Sequence, residues 1–167
     1  MTKLPKRLFH LTIALGCILV IGQVYAGQWI VGSASIRDEA GRRVYGERLT
    51  VFLVRSSNPV SADVCLTLTH RQRRLDCLNN RHLDFYKRFQ AKQGQPGYLV
   101  AQTVTSETGN FAFLEPPAGD FFVLITFPSM IDGYKVAWQE PVTVAPDRIS
   151  VVTLDETNLV LPQHRRR

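Results

Sequence analysis

The groups in this 167-residue chain that could carry chemistry are three cysteines, four histidines and fourteen carboxylates. Cys65 and Cys77 form an even pair once the apolar N-terminal stretch holding Cys17 is set aside. In an oxidising compartment such a pair closes a disulfide, and the competing state is two buried thiols packing as small apolar groups. The bridge carries a geometric condition. Twelve positions along one continuous helix would hold the sulfurs' residues about 18 Å apart, so the chain must turn between Leu68 and Arg71. His70 and His82 have a spacing unsuited to joint metal ligation on one helix, and no carboxylate or thiolate cluster accompanies them. The acidic turns Asp38-Glu39-Ala40-Gly41 and Asp132-Gly133 lack the oxygen density of a calcium loop and read as hairpin turns. The sequence contains no His-Glu-x-x-His, no Gly-x-Ser-x-Gly and no phosphate-cradling glycine loop. No catalytic, cofactor-binding or metal residue is expected, and the expected class is not an enzyme. Aromatic planes that could stack on sugar rings are Trp29, Tyr45, Tyr134 and Trp138. Tyr134 and Trp138 are four apart and would share one face of a strand, with core packing as the competing role.

The elements that position these groups are mainly strands. Thr108-Gly109-Asn110 makes a tight reversal, since Gly109 accepts positive φ without a Cβ clash. Phe111 and Phe113 then point to one face, Pro117 and Gly119 mark the next corner, and Phe121, Val123 and Ile125 alternate again. Leu75, Leu78, His82, Phe85 and Phe89 recur at three- and four-residue steps instead, placing an apolar stripe on a helix from about Arg71 to Gln90. His82 lies on that stripe, where packing with a hydrogen bond is its expected role. Val64, Leu66 and Leu68 fit either a short strand or a helical turn.

Gly109-x-Phe111-x-Phe113 followed by Pro117-x-Gly119-x-Phe121 resembles the middle of a carboxypeptidase-regulatory-like domain, a transthyretin-like, carbohydrate-binding-like sandwich. Phe121 stands where that pattern usually has tyrosine. Ile30–Val44, with its Asp38-x-x-Gly41 turn, is similar to the opening strand of that family, and Leu49–Val54 to its second strand. The resemblance implies a seven-strand antiparallel sandwich. Strands are expected near 28–37, 48–55, 98–106, 110–114, 120–127, 134–144 and 149–155, with one α-helix inserted between strands 2 and 3. Val51, Leu53, Phe111, Phe113, Phe121, Val123, Ile125 and Val151 should line its core. Such domains are defined by packing residues, so the resemblance specifies a fold and leaves function open. Two chemistries found on related sandwiches find no residues here. Hydroxyisourate hydrolases end in Tyr-Arg-Gly-Ser and use strand histidines, whereas this chain ends Gln163-His164-Arg165-Arg166-Arg167. Pilin-type isopeptide bonds start from a first-strand lysine, and the lysines beyond the leader are Lys87, Lys92 and Lys135.

Lys3, Lys6 and Arg7 followed by an apolar core from Leu11 to Ile21 and by Val24-Tyr25-Ala26 read as a secretory signal, cleaved between Ala26 and Gly27. The apolar run falls short of the ~20 residues of a membrane span, although retention as an anchor is the competing outcome. The expected organisation is a signal over 1–26, a sandwich over 27–161 with an insertion at 56–96, and a basic tail over 162–167. The expected location is the periplasm or cell envelope. Removing the signal lowers the net charge from +6 to +3, which matches the three terminal arginines. The globular part is neutral overall, so its pI does not mark a nucleic-acid binder.

The charge is unevenly placed. From Arg55 to Pro96 eight Lys/Arg face three Asp, while residues 97–164 carry two basic and eight acidic residues. The helix could therefore be a solvated outer face, or Arg73, Arg74, Arg81 and Arg88 could form a contact surface for an acidic partner or an anionic membrane surface. The expected function is a non-enzymatic accessory or scaffold domain of the envelope acting through contacts with another envelope protein. The alternative is a carbohydrate-binding module taking a polysaccharide on Tyr134 and Trp138.

Overall fold

A computed structural model describes residues 27–55, 63–126 and 129–160, so the expected signal, the whole of the expected tail and part of the insertion lie outside the described residues. The strands are β1 (Trp29–Arg37), β2 (Arg43–Tyr45), β3 (Thr50–Val54), β4 (Leu99–Val104), β5 (Asn110–Leu114), β6 (Gly119–Ile125), β7 (Met130–Ile131), β8 (Tyr134–Lys135), β9 (Trp138–Val144) and β10 (Ile149–Leu154). Two helices, α1 (Asp63–Leu66) and α2 (Arg71–Gln93), fall between β3 and β4.

One sheet is built on β1, which pairs with β10, β5 and β2; the other runs β4-β3-β6-β9. The two face each other across one core of Ile30, Ala34, Val51, Leu53, Phe111, Phe113, Phe121, Val123, Ile125, Trp138 and their neighbours. The alternation in β5 and β6 accounts for it. Phe111 and Phe113 share one face, Phe121, Val123 and Ile125 share another, and all five are buried. At the β4–β5 turn Gly109 has φ 75°, and a Cβ there would collide with the carbonyl oxygen of Ala34. Buried Thr105 ties the same corner to the β2–β3 loop, its hydroxyl donating to Gly46 O and accepting from Leu49 N.

Three expectations are corrected. The strands number ten among the described residues, because Arg43–Tyr45 and Met130–Ile131 form strands of their own and the single strand expected over 134–144 is divided. Asp132 and Gly133, both at positive φ, close the small β7–β8 ribbon, and Val136-Ala137 separate it from β9. The sandwich is also not wholly antiparallel, since β1 and β10 run parallel with Trp29 opposite Ile149 and Ala34 opposite Leu154. Finally, Val151 is not core. Val152 and Leu154 face inward opposite Gly32 and Ala34, which turns Val151 to solvent. The inward position beside them is Ser150, whose hydroxyl donates to Thr143 O at the corner with β9 and so needs no apolar neighbour. No helix among the described residues is long and apolar enough to cross a membrane.

Candidate functional site: two outer faces

Each sheet has a second face, turned away from the core, and these two faces hold the candidate sites. On β3 and β6 the outward positions are Phe52, Val54, Phe122 and Leu124, with Phe52 opposite Leu124 and Val54 opposite Phe122. α2 lies over them. Phe85 and Phe89 join Val54 and Leu124 in a buried cluster flanked by Phe52, Tyr86, Tyr98, Leu99 and Phe122. The Phe89 ring centroid sits 4.9 Å from Phe52 and 6.2 Å from Tyr98. The helix begins after a turn at 67–70, as a bridge requires, and Cys65 is joined to Cys77 with their Cα atoms 5.6 Å apart. The expected disulfide is present, and Val64–Leu66 belongs to a helical turn. Cys65 packs with Leu78 and Ala137, fastening the start of α2 to the sandwich. Leu75, expected on the stripe, is only half-buried.

His82 is fully buried on the stripe and shares a 3.3 Å hydrogen bond with Thr126 Oγ1, its ring 6.2 Å from Phe85. Burial disfavours the imidazolium and lowers its pKa from 6.5 to about 4. It is a neutral packing group, in the role its place on the stripe implied.

The arginines divide. Arg74, Arg81 and Arg88 are spaced by seven, which returns to nearly the same side of a helix about 10 Å further along its axis. They form a ridge beside the buried stripe, with Arg74 and Arg81 half-buried and Arg88 exposed. Arg73, exposed, is turned about a quarter of a circle away from Arg74 and does not belong to the ridge. The seven-residue spacing was readable in the sequence and separates three members of the expected set from the fourth.

The sheet of β5, β1 and β10 also turns an apolar face outward, and no element of the described chain lies over it. Cross-strand register gives its rows directly: Leu114–Trp29–Ile149, then Ala112–Val31–Val151, then Asn110–Ser33–Thr153. Exposure is 66% for Leu114, 41% for Trp29, 62% for Ile149 and 74% for Val151, against 0% for Val54 and Leu124 on the other sheet. A shallow depression lined by Val31, Ser33, Asn110, Val151 and Thr153 crosses the boundary from the apolar rows to the polar one. From the sequence only Trp29 among these residues is expected to be available for contact, and Val151 is expected in the core. The signal was there, because β10 carries apolar residues on both parities (Ile149 and Val151, Val152 and Leu154), as a strand does when both faces are apolar.

The expected sugar platform does not form. Trp138 is fully buried and its indole N–H donates to Asp155 O at 2.8 Å, while Tyr134 is buried in the same core on a different strand. Both are packing residues with no face to offer a ring. Trp29 and Tyr45 are the exposed members of the original four.

Asp38 and Glu140 are held by hydrogen bonds. Asp38 Oδ1 accepts from the backbone N–H of Ala40 at 2.9 Å and of Arg42 at 2.8 Å, and Oδ2 accepts from Arg42 Nε at 2.8 Å. The Arg42 backbone bond, helped by its guanidinium, holds the carboxyl below its ordinary pKa. Its lone pairs are used by the turn. Glu140 is raised by burial, partly offset by the amide of Asn158 that donates to it at 3.0 Å. Among the described residues no three His, Cys, Asp or Glu side chains converge as a metal site would need.

No family model matches the chain. No curated protein matches it either. Among solved structures it is similar to a Pseudomonas aeruginosa protein to which carbohydrate binding is ascribed, at 16% identity over 78% of this chain and 90% of that one, with a TM-score of 0.43. It is similar also to GBS52, the minor pilin of Streptococcus agalactiae, at 11% identity over 77% of this chain and 43% of that one, TM-score 0.43. BcpA, the major pilin of Bacillus cereus, aligns at 10% identity over 83% of this chain and 30% of that one, TM-score 0.39. The chain thus spans less than half the length of either pilin, and likeness at this level carries no argument about what it does.

Proposed function

We propose that this protein is an exported, non-enzymatic accessory or scaffold domain of the cell envelope, of carboxypeptidase-regulatory-like type, that acts by contact with an acidic envelope protein. The observation that carries the reading is the ridge Arg74–Arg81–Arg88 on a helix fixed to the sandwich by an apolar stripe and a disulfide. Three arginines whose backbone positions recur about every 10 Å along a docked helix suit an acidic surface, because the helix need not be ordered in order to present them. The disulfide fits an oxidising compartment. A photo-crosslinker at exposed Asp84, three residues after Arg81 and four before Arg88 on the helix surface, introduced in cells, tests the contact. An adduct with one acidic envelope protein, lost in Arg81→Glu/Arg88→Glu, is the expected result. No adduct, or one indifferent to charge reversal, defeats the reading, and capture of the protein by anionic vesicles alone moves it to a lipid surface.

The depression on the β5-β1-β10 face favours a second reading. Its apolar floor beside Ser33, Asn110 and Thr153, with Trp29 one row beyond, is the mixture a sugar ring can use. A carbohydrate site would lie there and not at Tyr134 and Trp138. Saturable polysaccharide binding lost in Trp29→Ala is the outcome that favours it.

A further inference from the structure

We propose that the uncovered face of β5, β1 and β10 is the contact by which two copies of this chain associate reversibly, sheet against sheet about a two-fold axis. The inference starts from the rows themselves. Leu114–Trp29–Ile149 and Ala112–Val31–Val151 contain no charged residue, and four of the six are strongly exposed. The largest apolar patch on a folded surface is often functional. Its shape is that of an open sheet, and open apolar sheet faces pack on one another about 10 Å apart at an angle near 30°.

Charge decides the occupant. In a two-fold contact the same patch of both copies meets itself, so a patch of one sign opposes a patch of that sign. Residues 55–96 carry eight basic residues against three acidic, and residues 97–164 carry eight acidic against two basic. Two helix faces placed together would set arginine on arginine, and the acidic turns would fare no better. The two apolar rows are uncharged, and pairing them costs no like-charge repulsion.

Area sets the strength. The exposed parts of these six side chains come to about 400–500 Å², the size of the largest patch on an ordinary monomer. Two such faces together bury on the order of 1,000 Å², at the lower limit for a specific interface. The dimer is therefore weak and concentration-dependent, and each chain is folded without it. The helix ridge lies on the opposite side of the sandwich, so association leaves both ridges open.

Sedimentation velocity over about three decades of concentration, on the protein as the cell exports it, tests the inference. The expected result is reversible monomer–dimer behaviour, with the dimer fraction rising across this range, since a contact near the lower size limit is of the transient class. Val151→Lys and Leu114→Lys should each leave a monomer across the range, because each buries an unpaired charge from both copies in an apolar contact. Both positions are largely exposed in the monomer, so far-UV circular dichroism and thermal midpoint should be unchanged, which separates lost association from lost folding. Arg88→Glu should associate as the wild type does. A monomer at every concentration, lysine variants that still dimerise, or polysaccharide binding by the monomer that is lost in Trp29→Ala would overturn the proposal, the last by giving the face to a sugar.

Discussion

The two sheets of this sandwich have similar outer faces and opposite fates. β3 and β6 turn Phe52, Val54, Phe122 and Leu124 outward, while β5, β1 and β10 turn out Leu114, Trp29, Val31, Ile149 and Val151. The first set lies beneath a 23-residue helix inserted between two strands, and the second meets solvent. The difference is one of connectivity, since the insertion supplies a cover for one sheet and nothing in the described chain supplies one for the other. An apolar outer face is therefore not by itself evidence of a binding site. It becomes one when the chain has no element to lay over it.

If the covered face contributes to folding and the open one does not, mutation should separate them widely. The largest effect is expected at Phe89→Ala, which removes a buried ring from Phe52 and Tyr98 and should cost about 3–5 kcal/mol in chemical denaturation. A loss under about 1 kcal/mol would mean that the helix is not docked as described. Next comes the fastening of the helix. Replacing Cys65 and Cys77 together by Ser should cost about 2–4 kcal/mol through the 12-residue loop they close, and mass spectrometry of the non-reduced protein should find no alkylatable thiol among these two.

Acid should act on the covered face through His82. Its folded pKa of about 4 lies below the ordinary 6.5, so between those values the unfolded chain binds a proton that the folded chain refuses. Stability is then unaffected by this group above pH 6.5 and falls as pH drops toward 4, by up to about 1.4 kcal/mol per pH unit. Denaturation curves at pH 7 and pH 5 measure it, and His82→Gln should flatten the difference. The smallest effect belongs to the open face, where Val151→Ala should change monomer stability by no more than about 0.5 kcal/mol. A larger loss would show that something covers it.

What the sequence disclosed follows from how local each signal is. The β5–β6 strands were legible because a glycine turn, paired phenylalanines and a proline–glycine corner are written within about twenty consecutive residues. The helix was legible from its three-and-four spacing, and the disulfide from compartment and count. The parallel β1–β10 pair was not, because strands separated by more than a hundred residues leave no local trace of their mutual direction. Val151 failed for a related reason. With valine at both 151 and 152 the alternation has two equally good parities, and only the partner strand, through Gly32 and Ala34, selects one. The open face shared that fate, because a row such as Leu114–Trp29–Ile149 joins three distant segments and exists only once they are aligned.

The parallel pairing of β1 with β10 has a mechanical consequence. Trp29 lies beside Ile149 and Ala34 beside Leu154, so the chain enters this pair at one end of the sandwich and leaves it at the other. A pull between Gly27 and Val160 is thus directed along both strands. It loads their backbone hydrogen bonds in shear, all at once, where a pull across the sheet would open them in succession like a zipper. Rupture force in single-molecule stretching should be markedly higher between those two ends than between Gly27 and Leu114 on antiparallel β5. Joined in this way, β1 and β10 form a tie along their own strand direction, suited to resisting tension.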